Sequence, residues 1–267
     1  MSKLTNDQIR QNVRERYQKI AVKKVEAASS CCAPADSCCD SPADFDAISA
    51  KLGYSSEDLA AAPEGANLGL GCGNPQAIAE LQSGEHVLDL GSGGGFDCFL
   101  ASRQVGEQGH VTGVDMTPEM ISRARNNAIK GKFNNTEFRL GEIEYLPVAD
   151  NSVHVIISNC VINLSPDKQQ VFREAYRVLQ HGGRLAISDI VTTAELPPEI
   201  KNDLDELYSG CISGASSIAD VELMLQETGF TEISIEPKDE SRTFIKDWVP
   251  GANVDQYIVS AVIKARK

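Results

Sequence analysis

"HVLDLGSGGGFDCFL", residues 86–100, is the stretch on which the fold turns. An apolar run, "HVLDL", meets four glycines within the five positions 91–95, and a helix-like segment, "FDCFLASRQV", follows at once. The spacing is D-x-G-x-G-x-G, with Asp89, Gly91, Gly93 and Gly95. Glycines at such a turn let the chain reverse sharply and bring its backbone close to a ligand. The next apolar run, "HVTGVD" (110–115), ends in Asp115, 24 residues after Gly91. A carboxylate there accepts hydrogen bonds from both hydroxyls of a ribose. A glycine motif alone is weak. A strand before it, a helix after it and an acid at the end of the next strand point to a nucleoside cofactor.

Outward from this core, apolar runs and helical periodicities alternate. "TEFRLGEI" holds a third strand, "VHVIISN" (153–159) a fourth and "RLAISDI" (184–190) a fifth. "TPEMISRARNNAIK" reads as a helix capped by Thr117 with Pro118 at its first position, and "DKQQVFREAYRVLQHGG" as a helix stopped by Gly182-Gly183. Later come a helix in "LPPEIKNDLDELYSG", a helix capped in "SSIADVELMLQETGF", and two strands, "TEISIEP" and "QYIVSAVIKA". Such alternation implies a mostly parallel sheet with helices on both faces. Before the core, residues 5–28 read as a helix capped by Thr5, with Ile9, Val13, Tyr17 and Ile20 on one face. "SSEDLAAA" starts another helix, and a short one is expected near Pro75 to Leu81.

The expected fold is α/β: Rossmann-like, with seven strands, an N-terminal helical and Cys-rich segment (1–84), a cofactor-binding core (85–190) and a smaller C-terminal segment (191–267) of substrate-side helices and closing strands. For a nicotinamide enzyme the fingerprint belongs near the chain start, with a second half-fold behind it. Here a helix and a Cys-rich stretch come first and a strand pair closes the chain, as in class I methyltransferases. The cofactor is therefore read as S-adenosylmethionine. Its contacts are expected from Asp89, Gly91, Ser92, Gly93, Asp115 and Met116, from Glu142 and Ile143 after the third strand, and from Asn159 at the end of the fourth. Ile143 also suits ordinary packing. Tyr17 either closes over the cofactor or packs as a plain helix residue.

The chain has 267 residues, a formal charge of −13, 42% hydrophobic residues and 8 cysteines. The acidic balance argues against nucleic acid and anionic membranes as partners. "MSKLTNDQIRQNVRERY" has no apolar core and no run approaches the ~20 residues that span a bilayer, so a cytoplasmic protein is expected. In that reducing compartment the thiols serve as ligands or redox groups rather than a disulfide framework. Cys160 lies one residue past the fourth strand, Cys211 in "YSGCISGAS", and Cys72 in a second glycine-rich loop, "NLGLGCGNP" (67–75). Cys98 falls inside a helix and reads as a buried small residue. Three convergent thiolates suit a soft centre. Structural zinc takes four ligands, and the C-x₂₋₄-C pairs of a zinc finger are absent. Three thiolates fit a trigonal pyramidal centre with a lone pair, as in trivalent arsenic. The four histidines, His86, His110, His154 and His181, sit at strand edges or turns and read as structural or exposed.

"GLGCGNP", "DLGSGGGFDC", "GHVTGVDMTPEM", "SNCVINLSPDKQQVFREAYRVLQHGG" and "GCISGA" together resemble the arsenite S-adenosylmethionine methyltransferases over nearly the whole chain. The resemblance implies that Cys72, Cys160 and Cys211 hold trivalent arsenic. It also implies that an N-terminal thiol serves the first methylation and disulfide exchange. Cys32 fits that place best, with Cys31 or Cys39 as alternatives, because "APADSCCD" (33–40) reads as an insertion. The expected reaction is methylation of arsenite and methylarsenite, with thioredoxin or glutathione as reductant, by a monomer. Open alternatives are a class I methyltransferase for a quinone or other small molecule, and a thiol-based metalloid-binding protein without turnover. The loop 67–75 is expected to be a mobile arm that brings Cys72 to the substrate last, leaving it displaced when no arsenic is bound.

Overall fold

The structure, a computed structural model, describes residues 4–26, 45–197, 212, 214–248 and 253–267. Cys31, Cys32, Cys38, Cys39 and Cys211 lie outside the described residues, as does nearly all of the helix expected within 196–210.

The sheet is built on β1 (His86–Leu90), β2 (His110–Asp115), β3 (Thr136–Leu140), β4 (Val153–Asn159) and β5 (Leu179–Thr192), joined by β7 (Thr231–Lys238) and β8 (Ile258–Arg266). The order is β3-β2-β1-β4-β5-β8-β7, so seven strands form the main path, and a two-residue strand, β6 (Ser216–Ser217), lies beside β5. Pairings from β3 to β5 are parallel; β8 runs antiparallel to both β5 and β7. The closing strands thus complete the sheet that the glycine loop begins.

Strand burial shows why this sheet forms. Val87, Leu88 and Leu90 of β1 are all buried, because helices cover both faces. Successive residues still face opposite ways. Val87, Val155 and Ile157 pack with Cys98, Phe99 and Ile121 from α5 (Phe96–Val105) and α6 (Pro118–Gly131). Leu88, Leu90 and Ile156 pack with Val171, Phe172 and Leu225 from α7 (Lys168–Val178) and α8 (Ile218–Thr228).

Two local readings are corrected. The α7 helix ends at Val178, not at Gly182-Gly183, because Leu179 is already extended (φ −65°, ψ 140°). The glycines instead turn the start of β5, where Gly182 N–H donates to the Lys267 carbonyl and Lys267 N–H to that of Gly183. Thr117 does stand at the cap of α6, but its side chain makes no capping bond; its own N–H donates to the Asp115 carboxylate at 2.8 Å.

Strand order reverses at β1, which pairs with β2 on one side and β4 on the other. Chains leaving β1 and β4 there diverge and open a crevice at the strands' carboxyl ends. The first helix, α1 (Asn6–Glu26), borders it. Thr5 and Gln8 cap α1 reciprocally, at 2.8 and 3.3 Å. Arg10 and Arg14 tie it to Glu144 and Glu142 at 3.1 and 3.2 Å.

Candidate active site

The crevice is a cavity of about 930 Å³. The glycine loop, the end of β2, the exits of β3 and β4, the loop 67–71 and the inner face of α1 all wall it. Two kinds of chemistry face each other there.

On one side lies a cradle for a nucleoside. Gly91 and Ser92 turn back on β2 by donating their N–H groups to the Val114 carbonyl, and Gly91 takes φ +73°. A Cβ at Gly91 would lie 2.5 Å from Val161, whereas one at Gly93 would meet nothing within 4 Å. Asp115 accepts the Gly93 N–H on one oxygen (3.0 Å) and the Thr117 N–H on the other (2.8 Å). A carboxylate has about four acceptor positions, so capacity remains for two hydroxyls. Burial pushes the Asp115 carboxyl up from its ordinary value, and the two backbone N–H groups partly offset this. The Ser92 hydroxyl is buried on the cavity wall without a hydrogen-bond partner. An orphaned polar atom costs free energy unless a ligand satisfies it. The donor set therefore fits a nucleoside cofactor.

Met116, Ile143, Asn159 and Tyr17 all reach the wall. Tyr17 also packs against the cluster that contains Cys72 and Cys160. Glu142 does not reach it. Its carboxylate turns to Arg10 and Arg14 on α1, and Glu144, two residues on, lines the cavity instead. Glu144 is buried and accepts from Arg10 (3.1 Å) and the Ser165 hydroxyl (2.7 Å).

A second acid, Asp97, in the first turn of α5, stands with Asp89 on the wall. Asp89 accepts from the Cys98 thiol at 3.2 Å, and Asp97 from the Tyr54 hydroxyl at 2.7 Å. Burial pushes both carboxyls up, Asp97 to about 6 even with the Tyr54 bond holding it down.

On the other side lie the thiols. Cys72 is 2% exposed and Cys160 9%. Their sulfurs and a carboxylate oxygen of Asp189 lie within 4.8 Å of one another. Cys160 leaves β4 in the left-handed region (φ +58°), and its N–H donates to the Ser188 carbonyl at 2.8 Å. Such a conformation in a residue with a Cβ persists only where its surroundings enforce it.

Cys72 is tied down by its neighbours in this structure. Asn159 accepts the Cys72 N–H at 3.0 Å and donates to the Gly73 carbonyl at 2.8 Å. The Cys72 thiol points at the Ser188 carbonyl at 3.6 Å. Asn67 fastens the loop's start by accepting the Gly69 N–H at 2.9 Å and donating to the Phe45 carbonyl at 3.2 Å. The loop is held by Asn159 of β4 and by Phe45, Asp46 and Ser49 of α2 (Phe45–Lys51), and Cys72 lies beside Cys160.

Asp189 was invisible as a functional group in "RLAISDI", where it read as one residue of a strand. It is 2% exposed and accepts three N–H donors: Ile162 (3.0 Å), the Asn163 side chain (2.9 Å) and Ile190 (2.7 Å). Burial pushes it up to about 6. An acid within an apolar strand that ends at a ligand crevice was the available signal. The histidines lie elsewhere: His86, His110 and His154 start β1, β2 and β4 at the opposite end of the sheet, where His154 accepts the His86 N–H.

A family model described as a methyltransferase domain matches residues 81–229. An arsenite methyltransferase of Halobacterium salinarum is 52% identical over 98% of this chain and 67% of its own length. The human arsenite methyltransferase is 44% identical over 60% of this chain. Only 44% of that relative's length is matched, so the chain spans less than half of it. Among solved structures, an arsenic(III) S-adenosylmethionine methyltransferase from Chlamydomonas reinhardtii superposes with a TM-score of 0.62 at 35% identity. The match covers 83% of this chain and 73% of that one. No described helix is long and apolar enough to cross a membrane.

Proposed function

The chain belongs to the arsenite methyltransferase family, and from that premise we propose that it transfers a methyl group from S-adenosylmethionine to trivalent arsenic held by Cys72, Cys160 and Cys211. Arsenite and methylarsenite are the substrates, and arsenic detoxification is the role. The observation that carries this reading is the pair of buried thiols, within 4.8 Å of each other, of which Cys160 lines a cavity with a nucleoside cradle.

Arsenite is a neutral trihydroxide at neutral pH. Each thiol that exchanges onto it forms an As–S bond and releases one water, the thiol proton leaving with the hydroxide. Cys72 and Cys160 supply two such bonds. Ile212, the residue after Cys211, is buried in the same apolar cluster as both cysteines, which supports Cys211 as the third ligand. Val13 and Leu164 in that cluster give a neutral arsenic trithiolate an apolar seat at little desolvation cost. Three bonds leave arsenic one lone pair. It carries no proton, so no general base is needed, in keeping with the histidines at the far end of the sheet.

S-adenosylmethionine, when bound, supplies a methyl group activated on a sulfonium. Asp115 would hold its ribose, Met116 and Ile143 would flank its adenine, and the 91–93 backbone with Ser92, Asp89 and Asp97 would take its amino-acid end. Asn159 spans both halves, lining the cavity while fixing the Cys72 backbone. Holding two reactants in one cavity supplies up to ~7–11 kcal/mol of barrier reduction in favourable cases. Donation of the arsenic lone pair to the methyl group would release S-adenosylhomocysteine and leave arsenic pentavalent. Cys32, or Cys31 or Cys39 in its place, would then form a transient disulfide with a second cysteine, the two electrons returning arsenic to the trivalent state, and thioredoxin or glutathione would reduce that disulfide. In this scheme 1–84 is the cap, 85–190 the donor-binding core and 191–267 the substrate side.

Purified protein given arsenite, S-adenosylmethionine and a thiol reductant is expected to yield methylated arsenicals. Cys160→Ser and Cys211→Ser should each abolish methylation of methylarsenite; full activity in both contradicts the thiolate site. Cys32→Ser should lose the first methylation and keep the later one.

A further inference from the structure

Methyl transfer to arsenic leaves Asp189 without a task. Its carboxylate is buried near the end of an apolar strand, a placement that costs free energy unless hydrogen bonds offset it. Three N–H donors, from Ile162, Asn163 and Ile190, fix its orientation toward the thiols. Asn163 and Ile190 share one oxygen, Ile162 takes the other, and the Asn163 backbone N–H and the Lys168 charge also act on the carboxylate. Outer hydrogen bonds of this kind are what orient a metal-ligating carboxylate.

We propose that Cys72, Cys160 and Asp189 form a site for a thiophilic divalent cation, zinc or cadmium, which competes with trivalent arsenic for the two sulfurs. The proposal shares the thiol pair with the function above and is independent of methyl transfer. Tetrahedral zinc takes thiolate sulfur at about 2.3 Å and carboxylate oxygen at about 2.0–2.2 Å, which sets two sulfurs and an oxygen about 3.5–3.8 Å apart. The three donor atoms already lie within 4.8 Å of one another, so closing by about 1 Å completes the set. Cys160 lines the cavity and gives the ion a way in. Both thiols give up their protons to solvent on ligation, and nothing is oxidised. Arsenic exchanges its oxygen ligands for thiol sulfur, so three thiolates satisfy it without the carboxylate. The third donor thus separates the two ligands: Asp189 for the cation, Cys211 for arsenic.

The test uses the full chain with Cys31, Cys32, Cys38 and Cys39 replaced by Ser, so that those thiols do not compete. Cadmium chloride is titrated calorimetrically, arsenite is titrated separately, and the cadmium shell is read by X-ray absorption. One cadmium per chain is expected, with two sulfurs and a light-atom remainder. Asp189→Asn should weaken cadmium by at least about tenfold and leave arsenite within about threefold. Cys211→Ser should do the reverse. Unchanged cadmium affinity in Asp189→Asn, weakened cadmium in Cys211→Ser, or no cadmium binding overturns the proposal. Should Asp189→Asn fail to fold, the shell of the parent chain decides: two sulfurs support the site, three or more overturn it. If cadmium binds as described and arsenite does not bind at all, the arsenic reading fails and the cation site stands.

Discussion

In the loop 91–95 glycines turn the chain from a strand into a helix; in the loop 67–75 they let backbone press against the ends of two other strands. The first loop is local. Gly91, Gly93 and Gly95 all take positive φ, and Gly93 has open space where a Cβ would stand. The second is long-range. A Cβ on Gly73 would lie 2.0 Å from the Ser188 hydroxyl, and one on Gly71 would meet Asn159 at 2.9 Å. One loop keeps room for a ligand, and the other spends its room on anchoring a thiol. Similar composition therefore leaves an open turn in one place and fixes a buried thiol in the other.

That contrast breaks if each loop's chemistry fails to segregate. The largest effect is expected from Cys160→Ser, which should weaken arsenite binding by at least about a hundredfold, since a ligand itself is lost rather than its support. Donor affinity, measured by calorimetry with S-adenosylhomocysteine, should stay within about twofold. Asp115→Ala should do the opposite, weakening that ligand by about 10- to 100-fold through lost charged hydrogen bonds of ~1.5–3 kcal/mol. Arsenite affinity should hold.

Glycine replacements sharpen the comparison through stability. Gly73→Ala forces Ser188 aside and should cost about 1–3 kcal/mol. Gly93→Ala meets no atom and bears only the left-handed backbone penalty, roughly 1–2 kcal/mol. Thermal unfolding should show the larger drop for Gly73→Ala, about 2–4 °C per kcal/mol for a chain of this size. Equal drops would mean that the 67–75 loop yields without resistance.

The smallest effect is a pH slope. Burial holds the folded Asp97 carboxyl at about 6, above the 3.8 of an unperturbed aspartate. Between those values the folded state binds more protons than the unfolded one, so Asp97's contribution is full below about 3.8. It is lost as pH rises through about 6 and is flat above. Denaturant unfolding across that window should show a shallower decline in Asp97→Asn than in the wild type. Parallel curves would place the Asp97 carboxyl in the ordinary range.

Much of the donor half was legible because its signals are local. The strand "HVLDL", its glycine turn, the helix behind it and Asp115 are all set by short-range chain geometry. The thiol half was only partly so. Cys72 and Cys160 stood out as residues, but what holds Cys72 is Asn159, 87 positions away, and no periodicity encodes that contact. Both Glu142 and Glu144 pair with arginines of α1, and only Glu144 turns into the crevice, where it also takes the Ser165 hydroxyl, a long-range outcome that no local pattern encodes. Asp189 was hidden because a strand buried on both faces gives no alternation from which an inward acid would stand out. Gly182-Gly183 misled as a helix stop because a strand-start turn also uses glycine at positive φ.

The central claim is that arsenic sits on Cys72 and Cys160 beside the donor cradle. Arsenic-edge X-ray absorption of the arsenite-loaded chain tests it most directly. An all-sulfur first shell is expected, losing one sulfur in Cys72→Ser and one in Cys160→Ser. A shell unchanged in both variants would place arsenic elsewhere and contradict the account.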